Sequence, residues 1–155
     1  MPDRRILGAG AAGAAAAAVW AAQEPLDMRV FGVPYSDPEL LGRAVVPKGD
    51  GWRPVGWALH AANGFVFGAL YSIVARRLPG PSLVKGAAAG MTEHVATWPL
   101  MRFVPRWHPA ARKIPKVYGN APAFWQSVWR HVLFGALLGV LEERLRRGYA
   151  DPAPG

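Results

Sequence analysis

ILGAGAAGAAAAAVWAA, residues 6–22, decides the fold class of this 155-residue chain. It contains no polar residue of the kind that a soluble helical bundle repeats at helical spacing on every helix. Three further runs are nearly free of charge: Val55–Ala75, Leu83–Val104 and Ala123–Leu141. Their only formal charges are Lys85, Glu93 and Arg102 in the third run and Arg130 in the fourth. A helix of ~20 residues rising ~1.5 Å per residue crosses ~30 Å of hydrocarbon. The sequence therefore predicts a single-domain, all-α integral membrane protein with four transmembrane helices, at about 6–22, 55–75, 83–104 and 123–141.

The net charge of +8 does not point to nucleic acid. The basic residues flank the apolar runs, where they meet anionic lipid headgroups and orient the chain. The sequence has no cysteine, which excludes disulfides, thiolate ligands and a cysteine nucleophile. Arg4 and Arg5 ahead of the first run also fit a cleavable signal peptide, but an internal repeat argues for a retained helix. FGALYSIVARRL (67–78) matches FGALLGVLEERL (134–145) at an offset of 67, and PLDMRVF (25–31) resembles PLMRFVP (99–105). The chain thus divides into hairpin halves of about 1–80 and 81–150, related by an axis along the membrane normal.

We call side X the face with the connections 23–54 and 102–122, and side Y the face with both termini and the link 76–85. Basic residues are denser on side Y, which predicts both termini in the cytoplasm. All seven tryptophans fall on or near side X. They read either as a one-sided anchor belt or, for Trp98, Trp125 and Trp129, as the lining of a cavity open to side X. In the side X loop, SDPELLGR (36–43) predicts a short helix capped by Ser36 or Asp37, placed on the bilayer surface.

Small residues recur at four-residue spacing: Gly8 and Ala12, Gly64 and Gly68, Gly86 and Gly90, Gly135 and Gly139. Such faces let helix backbones approach closely, either inside one bundle or across a homo-oligomer seam.

MTEHVATW (91–98) places Glu93 and His94 side by side inside the third run. His60 and Asn63 lie in the second run, and Arg130 and His131 in the fourth. Converging faces bring Glu93 within reach of His60, His131 or Arg130. With Trp98, these residues form the candidate ligand or proton site. Four readings stand open. The group is a structural pair that fixes which helices meet, or a ligand or proton pathway using histidine titration. It is alternatively a haem or divalent-metal site on His60, His94 and His131, or an acid–base set acting on lipid. No zinc motif, nucleophile elbow or phosphate loop accompanies it, so no catalytic residue and no cofactor is assigned.

The Gly/Ala-rich first run, the exit PLDMRVFGVPYS (25–36) and HAANGFVFGALY (60–71) together resemble the small bacterial inner-membrane proteins of the YagU-like kind. That resemblance implies a multi-spanning protein without an established reaction, concerned with envelope or acid stress, and it carries no catalytic residues. The expected function is a non-enzymatic, transport-like or accessory membrane module with an intramembrane polar site. The alternative is a haem- or metal-binding redox subunit.

Overall fold

The computed structural model describes residues 2–150, with side chains from 4 to 148, and every element among them is helical. In chain order they are α1 (Pro2–Phe31), α2 (Asp37–Val45), α3 (Trp52–Ala75), α4 (Ser82–Thr97), a 3₁₀ segment (Trp98–Phe103), α5 (Val104–Trp107) and α6 (Ala121–Ala150). Two helices, over Arg4–Phe31 and Trp52–Ala75, are long and apolar enough to cross a membrane.

The first helix does not stop at Ala22. It runs on through Pro25, which forfeits one backbone hydrogen bond, and ends where Gly32 takes φ +67°. A left-handed residue of this kind closes a helix, and glycine adopts it without a Cβ clash. The PLDMRVF exit is therefore helical, and Glu24 and Asp27 lie one turn apart on one face. The third run is shorter than expected: α4 ends at Thr97 and tightens into the 3₁₀ segment, which has Pro99 near its start. Beyond Leu141, α6 continues through its charged end, where Glu143 pairs with Arg147 at 2.6 Å.

Glycine sets the packing. A Cβ at Gly13 would strike the carbonyl of Gly64, and one at Gly68 the carbonyl of Ala9, so α1 and α3 touch backbone to backbone. In α4 and α6, Cβ atoms at Gly86 and Gly135 would each strike the other's carbonyl, and one at Gly139 would strike that of Ser82. The glycine faces are thus occupied within the chain. α1 also packs on α6 and joins the two pairs, whereas the consecutive helices α3 and α4 barely touch. Gly64 and Gly68 meet α1 in the way that Gly135 and Gly139 meet α4. That correspondence is one turn away from the alignment on Phe-Gly-Ala-Leu.

The core around Trp20, Tyr71, Phe134 and Leu138 is otherwise alanine. Outside it the usual distribution is reversed. Arg130, His94, Gln126 and Asp27 are among the most completely buried side chains, while Val66, Leu70, Ile73, Leu83, Val84 and Val95 are at least half exposed.

On side X, Ser36 caps α2, its hydroxyl accepting from the Glu39 N–H at 3.2 Å. This helix does not stand apart from the protein. Cβ atoms at Gly42 and Gly56 would strike the carbonyls of Trp52 and Pro38, so α2 is pressed onto the first turns of α3. His108 Nε2 donates to Leu40 O at 2.9 Å and ties the second loop to α2. Val33, Tyr35, Ile114, Val117 and Ala123 complete an apolar lid with Leu40, Trp98 and Met101 packed against it.

Candidate functional site

Arg130 is fully buried on α6 and is held by four residues from the end of α1, the segment that follows it and the start of α2. Its Nε donates to Asp27 Oδ2 at 2.7 Å, and one terminal nitrogen donates to Asp27 Oδ1 at 2.6 Å and Tyr35 O at 2.9 Å. The other terminal nitrogen reaches Asp37 Oδ2 at 2.8 Å and Glu24 Oε1 at 3.3 Å. A planar guanidinium suits this arrangement, since it grips one carboxylate with two bonds and still has donors for others. Three carboxylates against one cation leave excess negative charge, which neutral donors offset. Gln23 and Gln126 donate to Asp27 at 2.6 and 2.8 Å, and the Asp37 N–H donates to Glu24 at 2.9 Å. The Tyr35 hydroxyl and Trp20 Nε1 donate to Asp37 at 2.9 and 3.2 Å. Burial, and then the neighbouring Asp37 charge, push the Tyr35 phenol well above its ordinary pKa, so it remains a donor.

Asp37 also faces a cavity of about 220 Å³, and Trp20 connects the two regions. The Trp20 ring meets His60 edge-on at 5.2 Å and His131 at 4.7 Å. His131 Nδ1 donates to the Ser127 carbonyl at 2.8 Å, which fixes its tautomer. The Ser127 hydroxyl is hydrogen-bonded to His94 Nδ1 at 3.1 Å. The buried Nε2 atoms of His94 and His60 have no hydrogen-bond partner. Leaving such a group unpaired typically costs ~1–3 kcal/mol.

Six of the seven residues singled out in the sequence line this cavity: His60, Asn63, Glu93, His94, Trp98 and His131. Arg130 does not, because it is enclosed in its carboxylate cluster. The expected pairing of Glu93 with Arg130 or a histidine is absent among the described residues. Helix geometry explains this. The stripe Gly86–Gly90 leads to His94, which is pressed onto α6, while Glu93 turns half-buried toward Asn63 and α3. Trp125 and Trp129 face outward at 59% and 45% exposure, and Trp20 takes the lining role expected of them. The cavity is roofed on side X by Asp37, Leu40 and Leu41 of α2. Its only exposed lining residues are Asn63 and Thr97, one on α3 and one on α4, so it opens sideways.

Among the described residues no group of three or more His, Asp or Glu has metal-binding geometry. His94 and His131 are in ring contact at 5.0 Å, and Trp20 separates His131 from His60. The three imidazoles therefore do not converge on one point.

The sequence reading missed Glu24, Asp27, Asp37, Gln126 and Trp20. A signal for them exists: three carboxylates within 24–37 against one arginine in an apolar run, with Glu24 and Asp27 at i, i+3 spacing. No family model, curated protein or solved structure matches this chain.

Proposed function

We propose that the chain is a non-enzymatic membrane protein that spans the bilayer four times as two helix pairs and binds a polar ligand between them. The reversed burial pattern supports the spanning arrangement: charged groups lie inside, and aliphatic side chains outside, where lipid would cover them. In α6, Arg130 is fully buried and ion-paired, so lipid does not meet its charge. The matching sets of close-approach residues in the two pairs support an internal repeat. Basic density on side Y supports cytoplasmic termini. This reading does not depend on the YagU-like resemblance.

The observation that carries ligand binding is the lateral cavity. It holds a half-buried carboxylate without an ion pair, Glu93, beside the exposed Asn63 and Thr97, and three imidazoles, His60, His94 and His131, line it. A ligand with hydrogen-bond-donating hydroxyl or amine groups suits that lining, whereas a carboxylate or phosphate would face Glu93 and Asp37.

Because the chain lacks cysteine, topology can be tested with single replacements. Lys48→Cys and Lys113→Cys should label from one side of the membrane, and Gly80→Cys from the other. Ethanolamine is the probe for the cavity. It should bind weakly to detergent-purified protein by tryptophan fluorescence, and Glu93→Gln should weaken it about tenfold. Labelling of all three cysteines from one side would refute the topology. Unchanged ethanolamine affinity in Glu93→Gln would refute the site.

A further inference from the structure

The helices that fail to meet leave a second space. An apolar groove of about 440 Å³ runs between α3 and α4, toward side Y from the polar cavity. Phe67, Leu70, Tyr71 and Val74 form one wall, and Ala88, Ala89, Thr92 and Ala96 the other. The groove follows from the packing: α3 turns its glycines to α1 and α4 turns its own to α6, so the sides facing each other have no partner helix. On the α4 wall only alanines and threonines occur beside Glu93 and Lys85, which makes that wall shallow.

The groove and the polar cavity adjoin, with Glu93 and Thr97 lining both. From Phe67 to Val74 the groove follows ~10 Å of helix, and Leu78 extends it past the end of α3. Tyr71, 5% exposed, lines it and has a buried hydroxyl without a partner. Lys85, at the side Y end, is engaged by the Ala75 and Leu78 carbonyls at 3.3 and 3.4 Å, closing the turn between the helices. The combined space is polar and hydrogen-bond-accepting at one end and apolar along the rest.

We infer that the ligand is a one-tailed lipid whose head carries hydrogen-bond donors and no negative charge, seated with its head against Glu93 and its tail in the α3–α4 groove. This rests on the ligand-binding reading above and specifies its substrate class. The head accounts for the carboxylate without an ion pair, and the tail for the groove. Sideways opening gives such a molecule entry from the bilayer without passing through the lid. A water-soluble ligand would instead need an opening on side X, where α2 and its apolar cluster lie.

Native mass spectrometry of the full chain released from detergent tests this with three oleoyl probes: monooleoylglycerol, methyl oleate and oleate. Monooleoylglycerol should be retained one-to-one, about tenfold more tightly than the other two. Glu93→Gln should reduce that preference to under about threefold. Ala88→Phe places a ring in the groove from an exposed position, and should weaken monooleoylglycerol about tenfold while leaving ethanolamine binding unchanged. Equal retention of all three probes means ordinary boundary lipid and overturns the inference. So does unaltered monooleoylglycerol binding in Ala88→Phe. If ethanolamine still distinguishes wild type from Glu93→Gln in either of those cases, the tail assignment alone fails. If it does not, the polar site fails with it.

Discussion

Replacing Arg130 by methionine tests the central packing argument. The guanidinium is fully buried and makes five hydrogen bonds, four of them to the carboxylates of Glu24, Asp27 and Asp37. Methionine fills much of the volume but leaves Glu24 and Asp27, only 4% and 2% exposed, without their cation. Stranding a buried charge this way costs ~3–5 kcal/mol. For a chain of this size each kcal/mol lowers Tm by roughly 2–4 °C, so Arg130→Met should melt about 6–20 °C below wild type. Loss of helicity at 222 nm in detergent micelles is the assay, with size-exclusion profiles recorded beside it. A second variant separates charge from shape. Adding Glu24→Gln and Asp27→Asn to Arg130→Met removes the stranded charges and should recover at least half of the loss, because a neutral replacement of an entire buried ion network is close to neutral in stability. Arg130→Lys should lie between wild type and Arg130→Met, since lysine keeps the charge and loses the two-bond grip on Asp27. An Arg130→Met protein melting within about 2 °C of wild type would refute the reasoning. So would a neutralised triple variant no more stable than the single one.

Four other substitutions divide in a way the structure dictates. Glu93→Gln should change stability by no more than ~0.5 kcal/mol in the same melting assay, because Glu93 has no ion pair to lose among the described residues. Gly135→Val should be destabilising by ~3 kcal/mol or more, since its side chain collides with the Gly86 backbone and neither helix can yield cheaply. Gln126→Leu unpairs Asp27 Oδ1 and the Val33 carbonyl from their amide donor and should cost ~1–3 kcal/mol. Tyr35→Phe should show itself in pH dependence. The folded phenol's pKa is raised, first by burial and then by Asp37, so its contribution is complete below the unfolded value and is lost as pH rises above it. Wild type should therefore lose more stability than Tyr35→Phe between about pH 9 and 11.

Apolar runs and small-residue spacing made much of the architecture legible. Gly64, Gly68, Gly86, Gly135 and Gly139 appear in the sequence as possible contact faces, and all five prove to be sites where helix backbones meet within the chain. Helix ends were harder. The apolar run ends at Ala22 and places Pro25 in a connection, yet a proline costs a helix only one backbone bond and a local bend when packing holds the next turn in place, and here the next turn supplies Asp27 to Arg130. Placing that turn in a loop removed Glu24 and Asp27 from consideration, and Arg130 then had only Glu93 as a candidate partner. One boundary error thus produced the pairing error.

The two halves of the polar interior differ physically. Around Arg130 every charged group is bonded and all but Asp37, which also faces the cavity, are enclosed, so that cluster fixes how α6 meets α1. Around Glu93 the opposite holds. The carboxylate is half-buried, Asn63 and Thr97 beside it are exposed, and the Nε2 atoms of two lining histidines lack partners. Trp20 joins these regions by donating to Asp37 on one side and packing against His60 and His131 on the other. The stable network therefore holds the indole that forms one wall of the cavity. Disturbing Arg130 should alter the cavity through Trp20, whereas disturbing Glu93 should leave the Arg130 cluster as it is. That one-way dependence separates scaffold from site more sharply than the loss of binding alone.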